Sequence, residues 1–186
     1  MEEGVLVKNY LDPLELLAHL QLAPGMWVGD FGVGAGGHFV APAAKIVGAD
    51  GGVIMFDIQK SALSGAMSRA KLAGLGNYRA VWTNLEIYEG APGVADQSLD
   101  AGFLINVLHQ SEKHLDMLAE IGRMLKSGAK LLVADWKQEA TSTIAPALDR
   151  RLASAYIVQL AAQTGFTAVE MFEAGPYHWG LVLVKT

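Results

Sequence analysis

Short, nearly continuous apolar runs alternate along this chain with longer stretches in which apolar residues return every three or four positions. The runs read as buried strands and the stretches as amphipathic helices. Asp12-Pro13-Leu14-Glu15 announces the first helix, with Asp at the N-cap, Pro at the first helical position and Glu at the third. Leu14, Leu16, Leu17 and Leu20 supply its apolar side, and Pro24-Gly25 ends it. Met26–Asp30 is the first strand, followed by a helix from about His38 to Val47 with Pro42 in its first turns. Gly51-Gly52 turns into a second strand, Val53–Asp57. A helix from Ser61 to Leu72 closes at Gly74 and Gly76, and Arg79–Trp82 is a short third strand. Leu99–Val107 is the fourth strand, apolar almost throughout. Ser111 then caps a helix from Glu112 to Leu125, with Leu115, Leu118, Ile121, Gly122 and Leu125 on one face. Lys126 and Gly128 suit its C-terminal end, and Lys130–Asp135 is the fifth strand.

Strands and helices alternating at this spacing imply a parallel sheet with right-handed crossovers. The last segment departs from that rhythm. After a helix from about Leu148 to Gln163 and a stop at Gly165, Ala168–Phe172 and Trp179–Val184 have only a short link between them. Such a link is too short for a parallel crossover, so the pair reads as an antiparallel hairpin. The expectation is one α/β domain over residues 1–186, with residues 1–24 contributing a capped helix that packs on the core.

The chemistry is concentrated in Asp30-Phe31-Gly32-Val33-Gly34-Ala35-Gly36, between the first strand and the next helix. Glycine allows positive φ and lets a ligand approach the main chain. The helix beyond presents unsatisfied N–H groups to an anionic group. An adenosine-bearing cofactor is the expected guest. Gly32-x-Gly34-x-x-Gly37, with Asp57 about 20 residues further on, also satisfies the dinucleotide fingerprint. The glycines therefore leave NAD and S-adenosylmethionine both open, and with NAD a dehydrogenase. Asp30 bears on that choice. A carboxylate two residues before the first glycine would face pyrophosphate in a dinucleotide fold, whereas it suits a ligand carrying ammonium or sulfonium. The competing role for Asp30 is to accept hydrogen bonds from the amides of the turn.

Composition narrows the field. Of 186 residues, 52% are hydrophobic and 18% charged, which excludes a disordered chain. Net charge is −5 with no basic run, which argues against duplex nucleic acid; Arg150-Arg151 is only a pair and reads as a solvated helix face. Cysteine is absent, so disulfides, thiolate nucleophiles and cysteine metal sites are excluded. The five histidines show no metal-ligand spacing. Nothing approaches the ~18 apolar residues of a membrane span, and the acidic start does not read as a secretory signal. A cytoplasmic protein, monomer or homodimer, is expected.

The glycine turn, the five helix-flanked strands and the terminal hairpin together resemble the class I S-adenosylmethionine-dependent methyltransferases, from about Tyr10 to Lys185. Within that class the chain is similar to the small ubiquinone/menaquinone-methyltransferase-like group. The likeness rests on Val53–Asp57, Leu99–His109, Glu120–Lys130, Gly165-Phe166 and Ala174–Gly180. It departs at Ser127, where the group has proline, at Ala129 in place of glycine, and at Asn106, where many relatives are acidic.

The resemblance implies a Rossmann-like, doubly wound sheet of order 3-2-1-4-5-7-6 that binds S-adenosylmethionine and releases S-adenosylhomocysteine. By motif position, Asp30, Phe31, Gly32, Val33, Gly34 and Gly36 meet the methionine part. Asp57 accepts the ribose hydroxyls, Ile58 covers the adenine face, Asn84 and Leu85 read its edge, and Asn106 lies near the transferring methyl. His109 is the candidate general base, histidine being the side chain most often used for that role. Tyr10, Asp135, Tyr177 and His178 are candidates for the acceptor side, with Trp136–Leu148 as a mobile wall. A chain this short favours a small-molecule acceptor, and the lack of cysteine excludes the thiol-dependent arsenite chemistry of some relatives. A non-catalytic module that merely holds the cofactor is the other reading.

Overall fold

The computed structural model describes residues 10–186; residues 1–9 of the expected N-terminal unit lie outside the described residues. The helices are α1 (Pro13–Ala18), α2 (Val40–Val47), α3 (Lys60–Leu72), α4 (His114–Met124) and α5 (Ser154–Gln163). The strands are β1 (Trp27–Phe31), β2 (Gly52–Asp57), β3 (Tyr78–Trp82), β4 (Leu99–Ile105), β5 (Leu125–Trp136), β6 (Phe166–Glu173) and β7 (His178–Lys185). They form one seven-stranded sheet of order β3-β2-β1-β4-β5-β7-β6. The pairs from β3 through β5 are parallel, and β7 runs antiparallel to both β5 and β6. The expected order and the hairpin are therefore both present.

Each central strand sends alternate side chains to opposite layers, which is why its sequence is apolar throughout. Val53, Met55, Phe103 and Leu132 face α1, α2 and α3, meeting Leu16, Leu17, Ala43, Val47 and Ala66. Ile54, Phe56, Leu104 and Val133 face the other way, toward Leu118, Ile121, Ile157 and Ala161 of α4 and α5. Pro42 is the third residue of α2, where its missing N–H costs no helical bond.

Four boundaries differ from the sequence reading. Helix α1 begins as expected, with Asp12 Oδ1 accepting from Leu14 N at 2.9 Å and Glu15 N at 3.3 Å, but it ends at Ala18. Ser111 does not cap α4: its hydroxyl accepts from Lys113 N at 2.9 Å and donates to Glu86 Oε1 at 2.6 Å, and the helix starts at His114. Leu125 leaves α4 in an extended conformation and opens β5, paired with Leu99. The span from Leu148 to Arg150 is an isolated 3-10 turn, separate from α5.

Candidate active site

All the parallel strands end at one rim of the sheet, and the glycine turn crosses it between β1 and α2. Positive φ at Gly32 (87°) and Gly34 (60°) makes the turn possible. Three of its amides have acceptors within the protein. Gly32 N and Val33 N both donate to the Phe56 carbonyl at 2.9 Å, and Gly34 N donates to Asp57 Oδ2 at 3.0 Å. At these three positions the turn offers room rather than free N–H groups. A Cβ at Gly34 would project where nothing lies within 4 Å, whereas one at Gly32 would strike Val107.

Two cavities flank this turn, and Gly32, Gly34 and Gln110 line both. The first, about 410 Å³, is bounded by Asp57, Ile58, Thr83, Asn84, Leu85, Glu86 and Ser111. Asp57 Oδ1 accepts from Gln59 N at 2.8 Å, so each of its oxygens holds one amide and keeps a lone pair for a ligand. Asn84 Oδ1 is taken by Glu86 N at 2.9 Å, which leaves its NH2 group to face a ligand. The loop beyond β3 is fixed from behind by Glu120, a fully buried carboxylate. Glu120 accepts from Glu89 N, Ala91 N and the Arg123 guanidinium.

The second cavity, about 290 Å³, is lined by Tyr10, Asp30, Val33, His38, Phe39, Asn106, Trp136, Ile144 and His178, among others. Asp30 is 5% exposed and its carboxylate accepts no hydrogen bond among the described residues, so the competing role with turn amides is not the one it plays. Burial, reinforced by the Asp57 charge, holds its carboxyl well above the usual range. Asn106 adopts φ 58°, a conformation Asn tolerates better than most residues, with Oδ1 buried and unpartnered. His178 is fully buried with both ring nitrogens unpartnered among the described residues, its ring 4.1 Å from that of Trp136. Burial pushes its imidazolium pKa down to about 4, against a partial pull upward from Asp135.

Tyr10 closes the second cavity from the N-terminal side. Its hydroxyl accepts from Ser142 Oγ at 2.9 Å, and its ring meets those of Trp136 and Tyr177. The wall that Ser142 belongs to is pinned. Arg151 donates to Pro146 O at 2.8 Å, Gln138 O at 2.9 Å and Ala140 O at 2.7 Å. These bonds correct the solvated role for Arg151.

Several expected site residues sit elsewhere. Phe31 is fully buried in the core, its ring stacked on Phe56 at 5.0 Å, because alternation along β1 turns it away from the side Asp30 faces. Gly36 lines neither cavity; its missing side chain makes space for the His38 ring. Gly37, from the dinucleotide pattern, lets α3 approach at Ala66. Tyr177 supports Tyr10 without lining either cavity. Asp135 is fully buried and lines neither. It accepts from His109 Nδ1 at 2.8 Å, His109 N at 3.2 Å and Trp136 N at 2.8 Å. His109 is therefore held by Nδ1, leaving Nε2 without a partner among the described residues, and the ring sits beside the cavities without lining them. Sequence reasoning missed Gln110, His38 and Phe39, whose only signal was position just past a strand end or the turn.

Two further clefts, about 470 and 490 Å³, open at the opposite rim. They lie at the N-terminal ends of the parallel strands, where sheets of this type do not bind ligands. Among the described residues, no cluster of His, Asp or Glu could hold a metal ion, and no helix is long and apolar enough to cross a membrane.

The same architecture recurs in known proteins. An S-adenosylmethionine-dependent methyltransferase from Aquifex aeolicus superposes with TM-score 0.87 at 24% identity, over 97% of this chain and 93% of that one. A type 11 methyltransferase candidate from Sulfolobus solfataricus superposes with TM-score 0.74 at 23% identity, over 95% and 94%. The cyclase SpnF also superposes, with TM-score 0.77 at 15% identity, over 93% and 79%. At such identities the likeness establishes the fold. No curated protein gives a significant sequence match. The sequence profile of a family described as a methyltransferase domain matches residues 22–173. The chain belongs to the methyltransferase-domain family.

Proposed function

We propose that this enzyme methylates a small-molecule acceptor held in the second cavity, between the glycine turn and the wall of Tyr10, Trp136 and Ile144. Asp30 carries the reading. A buried carboxylate with no partner among the described residues, facing a cavity, is compensated by a ligand cation. The α-ammonium of the methionine part supplies one, while the pyrophosphate of NAD would meet like charge.

When bound, S-adenosylmethionine would supply an electrophilic methyl carbon, open to in-line attack by an acceptor lone pair while the carbon–sulfur bonding pair leaves with sulfur. The protein's part is to hold and orient, which can contribute ~7–11 kcal/mol. Asp57 offers its remaining lone pairs to the ribose hydroxyls, and Ile58 and Leu85 enclose the base. Asn106 Oδ1 and the Asp30 carboxylate answer the donors of the amino-acid part. Where the acceptor arrives protonated, His109, held through Nδ1 by Asp135, is the candidate proton acceptor, reached from the cavity by way of a bridging water.

The ubiquinone/menaquinone-methyltransferase-like grouping is supported by Glu120–Lys130 and the Ala174–Gly180 hairpin. A single domain over residues 1–186, a cytoplasmic location, a monomer or homodimer, and no duplex nucleic acid partner complete the proposal. Calorimetry with S-adenosylhomocysteine and with NADH tests the cofactor, and release of S-adenosylhomocysteine across a metabolite panel tests turnover. Heat with NADH and none with the nucleoside thioether overturns the reading; binding without turnover makes the protein a cofactor-holding module.

A further inference from the structure

Resting on that reading, the second cavity also says what kind of acceptor it takes. Strand pairing orders the groups along its rim. Asp30 on β1 pairs with Phe103 of β4, Ile105 of β4 with Ala134 of β5, and Trp136 of β5 with His178 of β7. Adjacent strands lie ~4.8 Å apart, so His178 stands two strands, roughly 10 Å, beyond β4. The groups assigned to the cofactor gather at β1, β2 and the end of β4. His178 is on the far side.

A fully buried imidazole with neither nitrogen paired is expensive to keep unless a ligand completes it. Among the described residues no Lys or Arg lines this cavity, and His38, which does, is already engaged, so an anionic acceptor finds little counter-charge. Asp30 is its one carboxylate among the described residues, and on the proposed reading the cofactor's ammonium takes it. Asp135 is no substitute, being buried with three donors already on it. Beside the polar His38, Asn106 and Gln110, the described surface is largely apolar, with Tyr10, Phe39, Trp136 and Ile144 forming its wall.

We propose that His178 recognises the acceptor, and that the acceptor is an uncharged molecule with an apolar body and a hydroxyl head seated on that imidazole. A hydroxyl both donates and accepts, so it satisfies His178 in either tautomer. The aromatic wall takes the apolar body.

Protein saturated with S-adenosylhomocysteine would be titrated with benzyl alcohol, benzoate and benzylammonium, three charge states on one skeleton. Calorimetry and the imidazole resonances of His178 are the readouts. Benzyl alcohol is expected to bind and shift those resonances, with the two ions at least tenfold weaker. His178→Phe, of similar size, should weaken benzyl alcohol about tenfold, and His178→Gln should recover most of that loss. Tighter binding of either ion, equal affinity in His178→Phe, or no binding of benzyl alcohol to the saturated protein overturns the inference. Loss of S-adenosylhomocysteine binding by the wild-type protein is a separate result and strikes the proposed function itself.

Discussion

Gly34 N donates to Asp57 Oδ2 at 3.0 Å, tying the glycine turn after β1 to the carboxylate that ends β2. One residue thereby shapes the turn and faces the cavity it borders. Asp57→Ala removes the acceptor for two amides as well as the groups offered to the ribose. S-adenosylhomocysteine should bind more weakly by ~1.5–3 kcal/mol, and the melting temperature should fall with it. Calorimetry and thermal unfolding check both. Unchanged affinity would mean the nucleoside sits elsewhere.

Gly34→Val places a branched side chain into the space shared by both cavities, at φ 60°. The backbone penalty is ~1–2 kcal/mol, which a folded core of this size withstands. Cofactor binding should be lost while the circular dichroism spectrum stays native. A variant that still binds would remove the turn from the site.

The raised pKa of Asp30 gives binding a pH signature. The ligand-free protein keeps that proton above the ordinary carboxylate range, and an ammonium group favours the ionised form. Binding must therefore expel a proton. Affinity for S-adenosylhomocysteine should rise with pH until it passes the ligand-free pKa, then level off. For the empty protein the same shift makes stability decline as pH rises from the ordinary carboxylate value toward the raised one. Asp30→Asn should abolish both slopes, which calorimetry in buffers of different ionisation enthalpy would reveal.

His109→Ala tests the proton acceptor. With an acceptor that must lose a proton, turnover should fall by ~10²–10⁴ and the acid limb of the pH–rate profile should vanish. Rates that match the wild type at every pH would end that assignment.

Arg151→Ala removes the three hydrogen bonds holding the wall over the second cavity. Hydrogen exchange in residues 138–147 should accelerate, while affinity for S-adenosylhomocysteine stays within about twofold, because Arg151 touches neither cavity. Protection equal to the wild type would show that other contacts hold the wall.

Much of this was legible from local patterns. Val53–Asp57 reads as a strand because both faces of β2 are covered, and Asp12 declares its helix through a cap that forms within three residues. Asp30, Gly34 and Asp57 stand out because a carboxylate–glycine turn needs those types in that order. What escaped the sequence is tertiary. Ser111 is a good cap by type, but Glu86 from a distant loop claims its hydroxyl. Arg151 looks like a surface cation until the wall folds around it. Alternation along β1 would have separated Phe31 from Asp30 had the strand been extended by one residue. The burial of His178 depends on β7 entering beside β5, which no local pattern encodes.

That entry carries a consequence for biogenesis. β7 follows every other strand in the chain yet occupies an interior slot, and β6, made before it, has no other neighbour in the sheet. A nascent polypeptide therefore leaves β5 with a bare flank and β6 adrift until His178–Lys185 emerges. The wall of the second cavity is completed last, so a ribosome-stalled chain would build the rim of the first cavity long before that of the second.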